Sequence, residues 1–293
     1  MRARYPDHEG YVDREGVSIF YEVYGTQAPT VLLIPAAPIT HSRSWKAQIP
    51  FLARHFRVVT IDGRGNGGSD QPSGPNEHSR AANVADILAV LDATGTDRAI
   101  VVAHCHANWW AVELADAHPD RVQALVSIEP GVPYLGRSHD HWRTASATFD
   151  EVLDEPVGWQ LYNRHVIINE PRRWLEFFFT QQLPEPHSSK QLEDMVRWGL
   201  DSTGQVLVAG ELGAEIDPPD HEDFRVTCRR LQMPVLVIHG DRDPCQPVER
   251  GRAFAEITGG DLLVIEGAGH LTPAREPVKV NLALRGFIER LAA

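Results

Sequence analysis

The segment VVAHCHANW, residues 101–109, places Cys105 where a nucleophile could act. An apolar run that predicts a strand leads into a small-x-nucleophile-x-small turn and then a helical stretch. Ala103 and Ala107 fill the small positions, which the strained turn requires because it packs closely against its neighbours. A thiol at a helix N-terminus beside imidazoles is expected to be more acidic than a free one. An isolated cysteine is more often a small buried hydrophobe, but this turn favours a nucleophile.

A carboxylate that could orient a base is predicted in the segment VLVIHGDRDP, residues 235–244. A strand is followed by a Gly-x-x-Asp turn that presents Asp243 just past the strand end. Asp241 is the nearer rival, and we expect it to cap the turn or pair locally. Glu129, which ends an earlier strand, is a third candidate for the acid.

The base is predicted at His270, on the glycine-rich loop of VIEGAGH, residues 264–270. Most of the 14 histidines are expected to be ordinary surface or core side chains. The chain order nucleophile, acid, histidine distinguishes His270, and the long interval between Cys105 and Asp243 leaves room for an inserted segment. We predict a catalytic triad of Cys105, Asp243 and His270.

The elements around these residues alternate between short apolar strands and amphipathic helices, which predicts an α/β fold with a mostly parallel, doubly wound sheet. The predicted strands are Val17–Val23, Val31–Ile34, Val58–Ile61, Ile100–Val102, Ala124–Ile128, Pro234–His239 and Leu262–Ile265. The predicted helices of this part are Ala81–Ala93, Val248–Ile257 and Val278–Leu291.

From Gly131 the rhythm changes to Trp- and Phe-rich helical segments, such as Trp159–His165 and Arg173–Phe179, broken by the PEPH sequence at 184–187. We therefore predict a core domain of residues 1–130 and 231–293 and an inserted helical cap of residues 131–230. Aromatic residues of such a cap usually pack against one another, although some could line an apolar pocket. Trp109 and His104 are the favoured substrate contacts.

Five segments together resemble the capped branch of the α/β-hydrolase superfamily over nearly the whole chain: LLIPAAP, TIDGRGNGGSDQP, VVAHCHANWW, VIHGDRDP and IEGAGHLTPAREP. The resemblance implies an oxyanion hole made by the backbone N–H groups of His106 and Ala37. It also implies that the glycine-rich loop at 62–70 is structural, and this loop lacks the spacing of a phosphate-binding loop.

Two features depart from the family pattern. Pro35-Ala36 replaces the usual His-Gly, and Pro35 has no N–H and stiffens the oxyanion loop. Ala-His-Cys-His-Ala replaces Gly-x-Ser-x-Gly, although dienelactone hydrolase resembles this chain in using a cysteine elbow within the same fold. Dehalogenase and epoxide-hydrolase members use an aspartate instead, and Cys105 argues against both of those activities.

A cysteine favours carbonyl substrates, because a thioester can be hydrolysed whereas a thioether formed at saturated carbon cannot. We expect a hydrolase that acts on an ester, lactone or thioester through a thioester intermediate. Three alternatives stay open: an acyltransferase on the same triad, a hydrolase-fold ligand-binding protein with impaired catalysis, and a serine enzyme in which Cys105 was introduced.

Bulk composition excludes several other classes of function. The net charge of −12 and the absence of a dense basic cluster argue against nucleic acid as a partner. No apolar run is long enough for a membrane span and no signal-peptide pattern is seen, so a cytoplasmic location is expected. Three irregularly spaced cysteines predict reduced thiols rather than disulfides or a cysteine-based zinc site. No cofactor or metal is expected; the partner is a small acyl substrate, and a homodimer stays open.

Overall fold

A computed structural model describes residues 4–291 except 133–134, 136–137, 188 and 214–221. Its strands form one eight-stranded sheet in the order β1-β2-β4-β3-β5-β6-β7-β8. β1 and β2 pair antiparallel at one edge, β2 meets β4 antiparallel, and every other pairing is parallel. The strands are β1 (His8–Arg14), β2 (Val17–Tyr24), β3 (Thr30–Ile34), β4 (Arg57–Ile61), β5 (Ala99–His104), β6 (Val122–Ile128), β7 (Val235–Gly240) and β8 (Asp261–Ile265).

Helices cover both faces of this sheet. One apolar cluster joins it to α2, α3, α9 and α10, and a second joins its other face to α1 and α12. The helices of the described chain are α1 (Ile49–Leu52), α2 (Arg80–Ala93), α3 (Ala107–Ala117), α4 (His141–Thr148), α5 (Arg164–Asn169), α6 (Pro171–Gln182), α7 (Lys190–Gly199), α8 (Gly204–Gly213), α9 (Glu222–Arg230), α10 (Val248–Thr258), α11 (Thr272–Arg275) and α12 (Pro277–Arg290). None of them is long and apolar enough to span a bilayer.

The central strands are buried on both faces, which explains why their sequences are continuous apolar runs instead of alternating ones. All six residues of β5 and all six of β7 are buried. Parallel strands covered by helices on both sides read this way because neither face meets water. The predicted α/β fold with a mostly parallel sheet is confirmed.

The connections reverse direction at β3, which lies between β4 and β5. In open α/β sheets, ligands bind beyond the carboxyl ends of the strands at such a switch point. The residues after β3 and β5 are the loop from Pro35 and the turn at Cys105. The strand order therefore places the predicted oxyanion loop and the predicted nucleophile turn at one crevice.

Helices α4–α9 are inserted between β6 and β7. The apolar side chains of α4–α8 form a third cluster, which includes Trp174, Phe178 and Phe179 and also reaches Cys105 and Leu271. The inserted helices therefore cover the crevice and pack against the turns that border it. The bounds of 131–230 proposed for a separate cap remain a prediction, and part of that range lies outside the described residues.

Besides the helices to which the sequence assigned no bounds, two elements differ from the prediction. β1 was not predicted, because His8–Arg14 is an edge strand of partly exposed residues with little apolar alternation. The predicted helix Trp159–His165 is wrong: a short 3₁₀ turn covers Gly158–Leu161 and a new helix begins at Arg164. The side chain of Asn163 accepts hydrogen bonds from the amides of His165 and Val166, which makes it the N-cap of the second helix.

The glycine-rich loop after β4 is held by its own acid. Asp62 accepts hydrogen bonds from the amides of Ser42 and Gly68, each at 2.9 Å. Arg64 makes a buried, bidentate ion pair with Asp86 of α2, with both contacts at 2.7 Å. These contacts give the loop a structural role.

Candidate active site

Cys105 occupies a sharp turn between β5 and α3. Its φ of +54° lies in the left-handed region, which costs a non-glycine residue roughly 1–3 kcal/mol. The turn is fixed by its neighbours: the Cys105 amide donates to Ile128 O at 3.0 Å, and its carbonyl accepts from Asn108 Nδ2 at 2.8 Å and from the Gly131 amide at 3.0 Å. The strain is held in place, and the thiol borders a cavity.

His270 and Asp243 lie beside this thiol. His270 Nδ1 is 2.7 Å from Asp243 Oδ2, and both side chains are buried. The other ring nitrogen, Nε2, is buried and has no hydrogen-bond partner among the described residues. A ring nitrogen of His270 and the sulfur of Cys105 are within 4.8 Å of each other, and since Nδ1 is bonded to Asp243, Nε2 is the nitrogen available to the sulfur. The fold thus brings together the three residues predicted as a triad.

Asp243 is surrounded by donors. Its Oδ1 accepts from the amides of Cys245 at 2.7 Å and Gln246 at 2.8 Å, while Oδ2 faces His270 and, at 3.2 Å, Nε2 of His239. Burial raises the pKa of Asp243, but the charge of His270 and the hydrogen bonds from His239 and His270 outweigh it and lower that pKa. Asp243 is therefore held as a carboxylate.

The pKa values of the Cys105 thiol and the His270 imidazole are shifted in opposite directions. A hydrogen bond from Cys245 lowers the pKa of Cys105 well below its usual value, assisted by the charge of His270 and opposed by burial. Burial lowers the pKa of His270, but the charge of Asp243, with those of the two cysteines, raises it well above the ordinary value. A proton is consequently expected on the imidazole and not on Cys105 at neutral pH.

The two rival acids lie elsewhere in the network. Asp241 Oδ1 accepts from the Gly267 amide at 2.6 Å, so it fastens its turn to the loop before His270. Glu129 Oε2 lies 2.8 Å from His104 Nε2, and Oε1 accepts from the Thr272 amide at 3.1 Å. Neither carboxylate contacts the ring of His270.

The two amides predicted for an oxyanion hole differ in their surroundings. The backbone N–H of His106 has no hydrogen-bond partner among the described residues, whereas the N–H of Ala37 donates to Pro35 O at 3.0 Å. His106 Nε2 donates to Ala37 O at 2.7 Å and so ties the elbow to the oxyanion loop. An oxyanion near Ala37 would have to compete with the Pro35 carbonyl.

The cavity above the thiol has a volume of about 320 Å³. His104 and Trp109 both border it, as predicted for substrate contacts. Trp109 is only 3% exposed, and its ring packs under the Arg80 guanidinium at 4.1 Å and edge-on against Phe224, so most of this side chain belongs to the core. The contact between Trp109 and a substrate remains a prediction.

Sequence reasoning missed two polar groups at the cap side of the cavity. The hydroxyl of Tyr162 donates to the carboxylate of Glu211, and both side chains border the cavity. Burial raises the pKa of Glu211, although the nearby charge of His106 opposes this effect. Burial lowers the pKa of His106, but its hydrogen bond to Cys105 and the charges of Cys105 and Glu211 raise it to about 9. Nothing in the order of helical residues indicates that Glu211 faces inward.

Cys245 and His239 were also missed. Cys245 follows Asp243 by two residues, and its sulfur lies within 4.8 Å of both Cys105 and His270. His239 is the penultimate residue of β7, and its Nε2 lies 3.2 Å from Asp243 Oδ2. The one signal in the sequence was position, because His239 and Cys245 lie four residues before and two residues after the predicted acid.

Comparison with known proteins agrees with this fold. The family model for the α/β-hydrolase fold matches residues 29–277, and the chain therefore belongs to that family. It is 26% identical over 288 residues to a bifunctional esterase/perhydrolase of Acinetobacter calcoaceticus, covering 95% of this chain and 99% of that protein. It is also 26% identical over 332 residues to epoxide hydrolase A of Mycobacterium tuberculosis, covering 97% and 98%.

A solved structure with the same fold is that of a bromoperoxidase from Bacillus anthracis. It superposes with a TM-score of 0.80 at 22% identity, covering 96% of this chain and all of that one. At this level of identity the likeness concerns the fold alone. Since relatives with this fold carry esterase, epoxide hydrolase and peroxidase names, the reaction must be argued from the site itself.

Proposed function

We propose that the protein hydrolyses a carboxylic ester, lactone or thioester, with Cys105 as nucleophile, His270 as acid and base, and Asp243 as the residue that orients His270. The observation that carries this proposal is the buried Nε2 of His270, unpartnered among the described residues, at the sulfur of a strained strand-to-helix turn. A nucleophile, a base within reach and a carboxylate that fixes the base are the parts this chemistry needs.

The reaction follows from the protonation states. The Cys105 thiolate attacks the carbonyl carbon, and the carbonyl electron pair moves to oxygen, where the amide of His106 can stabilise it. Collapse breaks the bond to the leaving group, which takes its proton from the His270 imidazolium. A water then gives a proton to neutral His270 and attacks the thioester, and the acid product and the Cys105 thiolate are released.

The sulfur nucleophile favours carbonyl substrates over epoxides. Opening an epoxide with a thiolate would leave a thioether, which water does not cleave, so the enzyme would be consumed after one turnover. Similarity to the esterase/perhydrolase also supports an ester-like substrate. The activity named for the epoxide hydrolase relative does not fit a cysteine nucleophile.

The cavity narrows the substrate class. Its volume of about 320 Å³ lies at the lower end of the range for small-molecule sites, roughly 300–1,000 Å³. Aromatic side chains such as Phe178 and Phe179 border it, together with the Tyr162–Glu211 pair. A small acyl group with an apolar body and one polar group able to hydrogen-bond with that pair fits this lining.

The test combines labelling with transient kinetics. With an activated aryl acetate we expect a burst of phenol close to one equivalent, an acetyl adduct on Cys105 in the intact mass, and loss of the burst after stoichiometric alkylation by iodoacetamide. An inert Cys105, with neither adduct nor turnover, would overturn the proposal and favour the ligand-binding alternative. An adduct that is released only to an added alcohol or amine would identify an acyltransferase.

A further inference from the structure

Cys245, which the proposed hydrolysis does not use, completes a cluster with Cys105 and His270. The sulfurs of Cys105 and Cys245 and a ring nitrogen of His270 all lie within 4.8 Å of one another. The three side chains come from the turn after β5, the turn after β7 and the loop after β8. Their wide separation in sequence is why spacing alone predicted no cysteine-based metal site.

The spacing of these atoms is close to that of a tetrahedral metal site. With bonds of about 2.3 Å to sulfur and about 2.0–2.1 Å to nitrogen, neighbouring zinc ligands are roughly 3.5–3.8 Å apart. The atoms of the cluster, which lie within 4.8 Å of one another, would have to move closer by at most about 1.3 Å. Side-chain rotation of two cysteines can supply a movement of that size.

The surroundings also match those of a metal site. Asp243 already holds Nδ1 of His270 at 2.7 Å, which is the carboxylate–histidine arrangement that orients a metal-binding imidazole. Two side-chain amides point their N–H groups at the sulfur of Cys245, Gln182 at 3.9 Å and Gln246 at 3.8 Å. Such donors would stabilise the thiolate that forms when the cation displaces the proton of Cys245, and His270 Nε2 has no other partner among the described residues.

We propose that Cys105, Cys245 and His270 bind a thiophilic divalent cation of the Zn²⁺ type, with a fourth coordination position open to the cavity. Thiolate and imidazole ligands in a tetrahedral set select such a cation over Mg²⁺ or Ca²⁺. A disulfide between the two cysteines is the competing use of this cluster, but it would engage only two of the three groups and leave Nε2 of His270 without a partner. The cation engages all three.

Cation binding and thiol catalysis exclude each other, because both need Cys105 and His270. On binding, each sulfur forms a bond to the cation and any proton it carries leaves to solvent. A bound cation is therefore expected to protect Cys105 from alkylation. The site does not depend on the proposed hydrolysis, since it requires only the positions of the three ligands.

The experiment uses the whole chain, reduced and stripped of metal, and titrates it with Co²⁺ as a spectroscopic probe. We expect thiolate-to-metal charge-transfer absorption and tetrahedral ligand-field bands that saturate at one equivalent and disappear when Zn²⁺ is added. The Cys245→Ser protein should bind more than about 100-fold more weakly, because losing even an outer-shell partner costs about 10–100-fold. Cys228→Ala, which removes a buried thiol of α9, should bind as the unaltered chain does.

Absence of the charge-transfer bands, or equal affinity of the unaltered and Cys245→Ser proteins, would overturn the metal site. A Cys105–Cys245 disulfide in the peptide map after air oxidation, together with no bands in the reduced protein, would favour the disulfide instead. Because absorption and not turnover is measured, failure of the hydrolase proposal would leave this result unchanged. Failure of the metal site would equally leave the acyl-enzyme test intact.

Discussion

Two carboxylate–imidazole pairs lie side by side at the carboxyl edge of the sheet. Asp243 and His270 are joined at 2.7 Å, Glu129 and His104 at 2.8 Å, and the two rings are 5.1 Å apart between centroids. His104 Nε2 is shared between Glu129 and the carbonyl of His270, so that nitrogen is already occupied. His270 keeps Nε2 for the sulfur. We propose that one carboxylate–imidazole pair serves catalysis and the other support, according to what the Nε2 atom of each histidine can reach.

The largest effect is expected from breaking the reactive pair. Cys105→Ala and His270→Ala should each lower kcat/KM for an activated ester by about 10³–10⁴-fold or more, since each removes a whole chemical step. Circular dichroism and thermal melts check that both variants stay folded. Full activity in either variant would remove that residue from the mechanism.

Replacing each acid by its amide compares the two carboxylate–imidazole pairs directly. Asp243→Asn should reduce kcat by about 10²–10⁴-fold, because the amide cannot stabilise the imidazolium. Glu129→Gln should change kcat less than about tenfold and lower the free energy of unfolding by about 1–3 kcal/mol, because it weakens the buried contacts with His104 and Thr272. Steady-state kinetics and urea unfolding of both variants make the measurement. The reverse ranking of the kcat values would move the acid to Glu129.

Gly131 links the supporting pair to the elbow. It lies two residues after Glu129, and a Cβ built on it would be 2.7 Å from the His106 nitrogen. Gly131→Ala should therefore shift the amide proposed for the oxyanion and lower kcat by roughly 10²-fold, the scale of losing one oxyanion donor. The matched control is Gly286→Ala in α12, where nothing lies within 4 Å of the added methyl. The control should keep full kcat and gain roughly 0.5–1 kcal/mol of stability. Equal kcat in the two variants would count against this role for the amide.

The smallest effect concerns pH. Because the pKa of Cys105 is lowered and that of His270 is raised, ester hydrolysis should be constant across neutral pH. It should fall on the acid side as the thiolate takes up a proton, and on the alkaline side as His270 loses the proton it gives to the leaving group. In Asp243→Asn the alkaline limb should move to lower pH, since the charge of Asp243 is the leading cause that raises the pKa of His270. A kcat profile that first rises near the pKa of a free thiol, about 8.5, would contradict the ion pair.

The sequence predicted seven of the eight strands, the flanking helices α2, α10 and α12 and the three residues Cys105, Asp243 and His270 that lie together, because each depends on a local pattern. Apolar runs predict strands, and a turn after each strand predicts the edge at which Cys105, Asp243 and His270 lie. Cys245 and His239 were missed because contact between turns depends on how their loops bend in three dimensions. The engagement of the Ala37 amide by Pro35 was likewise hidden, since the hydrogen bond is set by the loop's backbone angles.

The loop that carries His270 is also fastened to the inserted helices. The His270 amide donates to the carbonyl of Gln182 at 3.2 Å, and the Gly269 amide donates to Glu185 at 2.5 Å. An exchange of the inserted helices, made to change substrate preference, would also replace residues 182–185. It would therefore remove the two hydrogen bonds that hold the backbone of the His270 loop. A chimaera that keeps residues 182–185 is therefore expected to keep the position of His270. A chimaera in which these residues are replaced would need new hydrogen-bond partners for the His270 loop.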